Sequence, residues 1–174
     1  MKTFIVTAAL LGIFLTPSLA NDEVNINNQG NVGGDVHQTV NIDNHNNIAN
    51  INNYNGWDSW NSICDYNRGL FATRLFAKKI CVVGKINKAA FPSLAQLSEE
   101  AHEKTHRNSP APVTYSVSPN KITDVGQFGE HIQALCKGVP TYTSQEAQGG
   151  PHISGFAMCS SSSIITILGI SFCF

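Results

Sequence analysis

Residues 64–83 read CDYNRGLFATRLFAKKICVV, and the predicted fold is built around this stretch. Asn67 and Gly69 are residue types that favour tight turns. Branched and aromatic residues dominate 70–76 and 79–86, which is typical of β-strands. The sequence therefore predicts a turn followed by two strands of a short antiparallel sheet.

Two helices are predicted after this sheet. The first begins near Pro92, a residue that suits the first turn of a helix. Its apolar seam consists of Leu94, Leu97 and Ala101. The second lies in TDVGQFGEHIQALCKGVP, residues 123–140, where Asp124 can cap the helix and Gly138 can end it. Cys136 lies near the apolar stripe of this second helix, so it is expected to point inward.

The two ends of the chain differ from its centre. Residues 1–20 have a basic start, an apolar run and a small-residue end, which predicts a secretory signal peptide cleaved after Ala20. Residues 21–53 are rich in Asn, and both a flexible arm and a two-stranded ribbon fit them. Residues 151–174 have two β-prone runs around the serines at 160–163. They predict a C-terminal β-hairpin that is prone to aggregation.

Charge and cysteine content restrict the function. Removal of Lys2 with the signal peptide leaves 10 of the 11 Lys+Arg against 12 Asp+Glu, a net charge of −2. There is no basic stripe of the kind that binds nucleic acid. The apolar run at 164–174 is too short to span a membrane. Five cysteines in a secreted chain should oxidise, and an odd number leaves one free or paired with another molecule.

Residues 102–106, HEKTH, match the zinc-peptidase pattern H-E-x-x-H. On the predicted helix, His102 and His106 would point away from the apolar seam and into solvent. Lys104 would place a positive charge beside the metal, and the downstream histidine of the metzincins is missing. We therefore predict no catalytic, cofactor-binding or metal-ligating residues, although weak metal binding by the exposed histidine pair stays open.

Asp65, Cys81 and Cys136 follow one another in an order and spacing that resemble the BRICHOS domain. That family has an Asp in its first strand region, a Cys on the next strand and a Cys at the end of the second helix. The segments NGWDSWNSI, ATRLFAKK, YSVSPNKI, GVPTY and ILGISFC resemble the gastrokine branch of the family, over essentially the whole chain. Within that branch we expect the third gastrokine, with the first as the alternative.

The resemblance implies an α+β fold, with a central antiparallel sheet flanked by two helices. The BRICHOS domain would cover 54–150, between the Asn-rich N-terminal segment and the C-terminal hairpin. The implied disulfides join Cys81 to Cys136 and Cys159 to Cys173. Cys64 would then be left over.

Two residues allow two interpretations each. Asp65 is either a turn carboxylate or, as the resemblance implies, a partly buried carboxyl whose protonation opens the domain as a pH switch. Cys64 is either a buried free thiol or the site of an intermolecular disulfide. Such a disulfide would give a homodimer or a link to a trefoil-type mucosal peptide.

The resemblance also implies the function. Because the chain resembles the gastrokines, we expect a secreted, non-enzymatic factor that restrains epithelial proliferation and supports homeostasis of the gastric mucosa. The resemblance to BRICHOS domains also implies chaperone-like binding of β-prone segments. One such segment would be the chain's own C-terminus. The alternative is a disulfide-linked structural component of mucus that acts through Cys64 and the Asn-rich segment.

Overall fold

The structure is a computed structural model of the chain. It describes residues 22–29, 35–54, 56–89, 91–103, 114–147, 164–167 and 170–173. The predicted signal peptide and Cys159 lie outside these ranges. Within them, no helix is long and apolar enough to cross a membrane.

The central strands form where the sequence predicts them. They are β4 (Trp60–Asp65), β5 (Leu70–Leu75) and β6 (Ile80–Lys85), and each pairs with the next in antiparallel register. The turn between β4 and β5 contains Gly69 at φ 65°, a left-handed backbone conformation that favours glycine. The predicted turn and the strands at 70–76 and 79–86 are thus confirmed.

Seven further strands extend this centre into one sheet. They are β1 (Asp22–Gln29), β2 (Asp35–Asp43), β3 (Ile48–Tyr54), β7 (Thr114–Lys121), β8 (Thr141–Glu146), β9 (Ile164–Ile167) and β10 (Ile170–Cys173). The spatial order is β1-β2-β3-β4-β5-β6-β8-β7-β10-β9. The pairs β6/β8 and β7/β10 are parallel, and the other pairs are antiparallel. The predicted α+β class with a mostly antiparallel sheet is therefore confirmed.

One helix covers each face of the sheet. Helix α1 (Leu94–Glu103) lies over the larger apolar cluster, and helix α2 (Glu130–Cys136) lies over the smaller one. The two faces separate because neighbouring residues of a strand point in opposite directions. On β5, for example, Phe71 and Leu75 belong to the α1 cluster and Ala72 to the α2 cluster. The predicted helix on each side is confirmed.

The Asn-rich segment is part of the sheet. The predicted ribbon is present as β2 and β3, joined by a turn at 44–47, and β1 extends it on the outer side. Asp43 fixes the turn: its Oδ1 accepts the N–H groups of His45 and Asn46, at 3.0 Å each. The hydrogen bond from the Asn46 side chain lowers the pKa of Asp43, with a smaller contribution from the backbone N–H groups. The ribbon, rather than the flexible arm, is the arrangement of these residues.

The second helix differs from its prediction. Instead of one helix starting after Asp124, a short 3-10 turn (Gly126–Phe128) precedes α2. The two are separated by Gly129 at φ 102°, which is incompatible with a right-handed helix. A Cβ at position 129 would lie 2.6 Å from Nε of Arg68, so the break also makes room for that side chain. The predicted end at Gly138 is confirmed, with φ 81°.

A C-terminal hairpin is present in the described residues. Its described strands, β9 and β10, both lie within the last apolar run and pair in antiparallel register. The serines at 160–163 lie outside the described residues. The turn falls between Ile167 and Ile170, at the point where Gly169 interrupts the apolar run.

Candidate functional site

The β7 edge of the sheet carries an added segment of the chain itself. Strand β10 pairs with β7 in parallel register, with Phe172 opposite Tyr115 and Ser171 opposite Thr114. Strand β9 then lies outside β10. Addition of an extended segment to a sheet edge is a common mode of peptide recognition, since the backbone of the edge strand supplies the hydrogen bonds.

Tyr115 ties the β7 edge to the core. Its ring is almost fully buried under α1, and its hydroxyl donates to the carbonyl of Lys85 at 2.9 Å. Burial raises the pKa of Tyr115 to about 12, and the nearby Glu146 carboxylate adds to the effect. The strand that receives β10 is therefore anchored to β6 through a neutral phenol.

Three aromatic rings form the centre of the α1 face. The ring centroids of Phe71 and Tyr115 are 5.0 Å apart, those of Phe71 and Phe91 are 5.1 Å apart, and those of Phe91 and Tyr115 are 6.4 Å apart. Gly84 on β6 leaves the space that the Phe71 ring fills, since a Cβ at Gly84 would lie 2.6 Å from two carbons of that ring. These contacts join β5, β6, β7 and the start of α1 into one packed unit.

Polar contacts hold α1 over this cluster. The Tyr66 hydroxyl donates to the carbonyl of Pro92 at 2.6 Å. Ser93 and Gln96 form a reciprocal capping box, in which each side chain accepts the backbone N–H of the other residue. Burial, and then the charge of an ionised Cys64, raise the pKa of Tyr66, so the phenol stays a donor. The predicted start of α1 after Pro92 is confirmed.

Cys64 lies inside the α1 cluster. It is 1% exposed and has no disulfide partner. Burial raises the pKa of the thiol to about 12, so it stays protonated and unreactive at neutral pH. A homodimer or a trefoil-type peptide linked through Cys64 would require β4 to leave the core.

Asp65 points to the opposite face, towards the start of α2. The residue is 5% exposed, and its carboxylate accepts the N–H of Arg68 at 2.9 Å and lies 3.4 Å from Nε of the same residue. Because the Arg68 side chain is 55% exposed, solvent weakens this ion pair. Asp65, Arg68, Glu130 and His131 line a polar cleft of about 660 Å³. Asp65 is therefore a turn carboxylate that is also buried, and its role as a pH switch stays a prediction.

The Cys81–Cys136 disulfide is present, as predicted. It joins β6 to the last residue of α2, with a Cα–Cα distance of 5.4 Å. The Arg74 guanidinium supports the same helix end, because its Nη1 donates to the carbonyls of Leu135 and Lys137 at 2.8 and 3.2 Å. The predicted partner of Cys173 lies outside the described residues, so the second disulfide stays a prediction.

The histidine motif lies only partly in the described part of the chain. His102 and Glu103 are the last residues of α1, and 104–106 lie outside the described ranges. Among the residues with described positions, no group of three or more His, Cys, Asp and Glu side chains could hold a metal ion. The absence of a catalytic zinc stays a prediction.

Two positioning residues were not singled out from the sequence. Gly84 interrupts a β-prone run, a signal that points to a close approach of another group. Arg74 is the only charged residue inside the β5 run LFATRL, which is a signal of a specific partner for its guanidinium. Neither signal alone names the partner.

Comparison with known proteins agrees with this geometry. The BRICHOS domain family matches residues 56–143. Gastrokine-1 of Sus scrofa is 46% identical over 99% of this chain and 97% of its own length, and Gastrokine-1 of Homo sapiens is 44% identical over the same shares. Gastrokine-3 of Mus musculus is 30% identical over 99% of this chain and 92% of its own length. No solved structure matches the chain.

These values correct one expectation. The third gastrokine was expected to be the more similar paralogue, but the chain is more similar to Gastrokine-1. The disulfide between β6 and α2, the helix on each face and the match over the whole length together establish that this chain belongs to the gastrokine family of BRICHOS-domain proteins.

Proposed function

We propose that this protein is a secreted, non-enzymatic gastrokine-type factor whose molecular activity is chaperone-like binding of β-prone peptide segments. The observation that supports it is the pairing of β10 with the β7 edge. This pairing places the most β-prone segment of the chain on its own sheet.

The physical reason is the exposed backbone of an edge strand. Such a strand offers N–H and C=O groups to any extended segment that can align with it. The segment 164–173 is branched, uncharged and free of proline, which are the features of an aggregation-prone peptide. Because β7 pairs with this segment of its own chain, its edge is suited to bind branched, uncharged segments of other proteins.

The biological role that we propose follows from the family. The chain would leave the cell through its signal peptide, act at the gastric mucosa, restrain epithelial proliferation and support mucosal homeostasis. The chaperone-like activity would keep its own C-terminus, and β-prone segments of other proteins, from pairing with one another.

The experiment is fibril formation of an amyloid-forming peptide, followed by thioflavin fluorescence, with substoichiometric protein (residues 21–174). The wild type is expected to delay fibrils. Ser171→Pro, which removes an N–H group from β10, is expected to lengthen the delay, because it frees the β7 edge. Ser161→Pro, which lies outside both strands of the hairpin, is the matched control.

Two results would contradict this proposal. If neither the wild type nor Ser171→Pro delays fibrils, the chaperone-like activity is absent. If Ser171→Pro delays fibrils less than the wild type does, the peptide binds to the hairpin itself rather than to the edge of β7.

We also propose that Asp65 makes this activity depend on pH. The groups that share its cleft are Arg68, Glu130 and His131. Protonation of Asp65 would weaken its contacts with Arg68 and loosen the start of α2. The fibril assay with Asp65→Asn, at neutral and acid pH, tests this step. The variant should lose the pH response of the wild type, and an unchanged response would exclude Asp65.

A further inference from the structure

One end of the sheet exposes aromatic side chains. Trp57 is 90% exposed, Tyr54 is 50% exposed and Phe76 is 41% exposed, and they are the large apolar side chains most open to solvent in the described ranges. Exposed apolar side chains that cluster on a protein surface are typical of an interaction site.

Strand pairing brings these three rings to the same end. Asn53 pairs with Trp60, and Trp60 pairs with Leu75, so Tyr54 and Phe76 come directly after the paired residues of β3 and β5, the two strands that flank β4. The N–H of Phe76 donates to the carbonyl of Ser59 at 3.3 Å, and the Ser59 hydroxyl donates to the carbonyl of Gly56 at 2.7 Å. The turn that carries Trp57 therefore lies beside Phe76.

A cleft of about 390 Å³ opens at this end. It is lined by Arg74, Phe76, Lys79 and the loop 138–140. The Arg74 guanidinium lies over the Phe76 ring, with 5.8 Å between its Cζ and the ring centroid. Because Arg74 also donates to the carbonyls at the end of α2, it fixes the ring and the loop relative to each other. The Arg74 contacts therefore hold two sides of the cleft in place.

Positive charge concentrates around the cleft. Five cations lie in the segments that form this end of the sheet: Arg74, Lys78, Lys79, Lys121 and Lys137. In the same described segments (54–60, 74–80, 121 and 137–141), Asp58 is the only acidic residue. Asp35 lies farther out, where β1 and β2 extend past β3. The balance here is five cations against one acid, although the chain as a whole carries −1.

We propose that this end of the sheet binds an acidic oligosaccharide, a sugar chain that carries sulfate or carboxylate groups. The C–H bonds on the face of a sugar ring are weakly positive and pack on the negative face of an indole such as Trp57. The sulfate or carboxylate groups would meet the ammonium groups of Lys79 and Lys137 at the rim of the cleft. This binding surface is separate from the β7 edge, so it stands independently of the proposed chaperone-like activity.

The shape of the surface favours a sugar over a membrane. A protein that inserts into lipid presents contiguous apolar surface with cations around it. Here the Arg74 guanidinium lies over the Phe76 ring, and this ring lines a concave cleft together with Lys79. A concave site that combines an aromatic ring with cations fits a ligand that carries both apolar faces and anionic groups.

The test is fluorescence anisotropy of a labelled heparin hexasaccharide with the full mature chain, at low salt and at about 0.15 M salt. The wild type should bind the sulfated sugar more tightly at low salt, and should not bind its desulfated counterpart. Trp57→Ala should weaken binding roughly tenfold, the size of one aromatic stacking contact in nucleic-acid sites. Its high exposure means that the fold does not depend on it.

A pair of charge variants separates a site from net charge. Lys79→Gln/Lys137→Gln should weaken binding roughly three- to tenfold at low salt. Lys85→Gln/Lys88→Gln removes the same charge at the opposite end of the sheet and should change affinity less than about twofold. Equal losses in the two double variants, or no effect of Trp57→Ala, would overturn the proposal. Binding to phosphatidylserine vesicles without binding to the hexasaccharide would overturn it in favour of a membrane.

Discussion

Gly84→Ala tests the packing that holds the β7 edge to the rest of the sheet. A Cβ at position 84 would lie 2.6 Å from Cε1 and Cζ of Phe71 and would also overlap Oγ of Ser144. Phe71 cannot simply move away, because its ring is buried between Phe91 and Tyr115. The new methyl group must therefore displace β8 or the aromatic cluster.

The expected magnitude is a balance of two effects. Overpacking of a filled core costs about 1–3 kcal/mol. A Gly-to-Ala change gives back about 0.4–1 kcal/mol, because the unfolded chain loses conformational freedom. We expect Gly84→Ala to lower the free energy of unfolding by about 1–2 kcal/mol.

The assay is urea unfolding of the mature chain, followed by circular dichroism, in a double-mutant cycle with Phe71→Leu. Phe71→Leu makes room for the new methyl group, so the double variant should lose about 1 kcal/mol less than the sum of the single losses. Gly56→Ala is the matched control, since it has φ 52° and no atom within 4 Å of the added Cβ. It should show only backbone strain and no coupling to Phe71→Leu. Additive losses for Gly84→Ala and Phe71→Leu would show that the added methyl group does not press on the Phe71 ring.

Three further predictions concern the disulfide, the buried thiol and the end of α2. Cys81→Ser/Cys136→Ser removes a disulfide that closes a loop of 55 residues, so the unfolded chain gains conformational entropy. The free energy of unfolding in urea should fall by about 4 kcal/mol, and a decrease below about 1 kcal/mol would contradict this. Cys64 should resist a thiol reagent at pH 8 in the folded chain and react in urea, and equal reaction rates with and without urea would exclude the burial. The protonated, buried thiol should stabilise the fold fully below about pH 9. This contribution should be lost as the pH rises towards about 12, where the thiol ionises in the folded chain. Arg74→Gln should cost about 1.5–3 kcal/mol, because it removes charged hydrogen bonds to the carbonyls at the end of α2, and an unchanged urea midpoint would show that the guanidinium contributes nothing.

The local elements and the family could be predicted from the sequence. Turn residues such as Gly69 and Gly138, runs of branched residues and the helical apolar seam depend on neighbours within one turn or one strand. For the same reason the inward direction of Cys136 followed from its place on a helix. The order of Asp65, Cys81 and Cys136 carried the resemblance to the BRICHOS domain, and the comparisons confirmed it.

The features that depend on contacts between residues distant in sequence became visible only in the tertiary structure. The Asn-rich segment became three strands because Val40, Ile42 and Ile51 reach the core only when β2 and β3 join the sheet. The polar strand β8 forms because parallel pairing with β6 and antiparallel pairing with β7 satisfy its backbone on both sides. The break at Gly129 and the space at Gly84 exist because side chains from other strands occupy them. Such contacts leave only weak local signals, because the groups that meet are tens of residues apart and only the folded sheet brings them together.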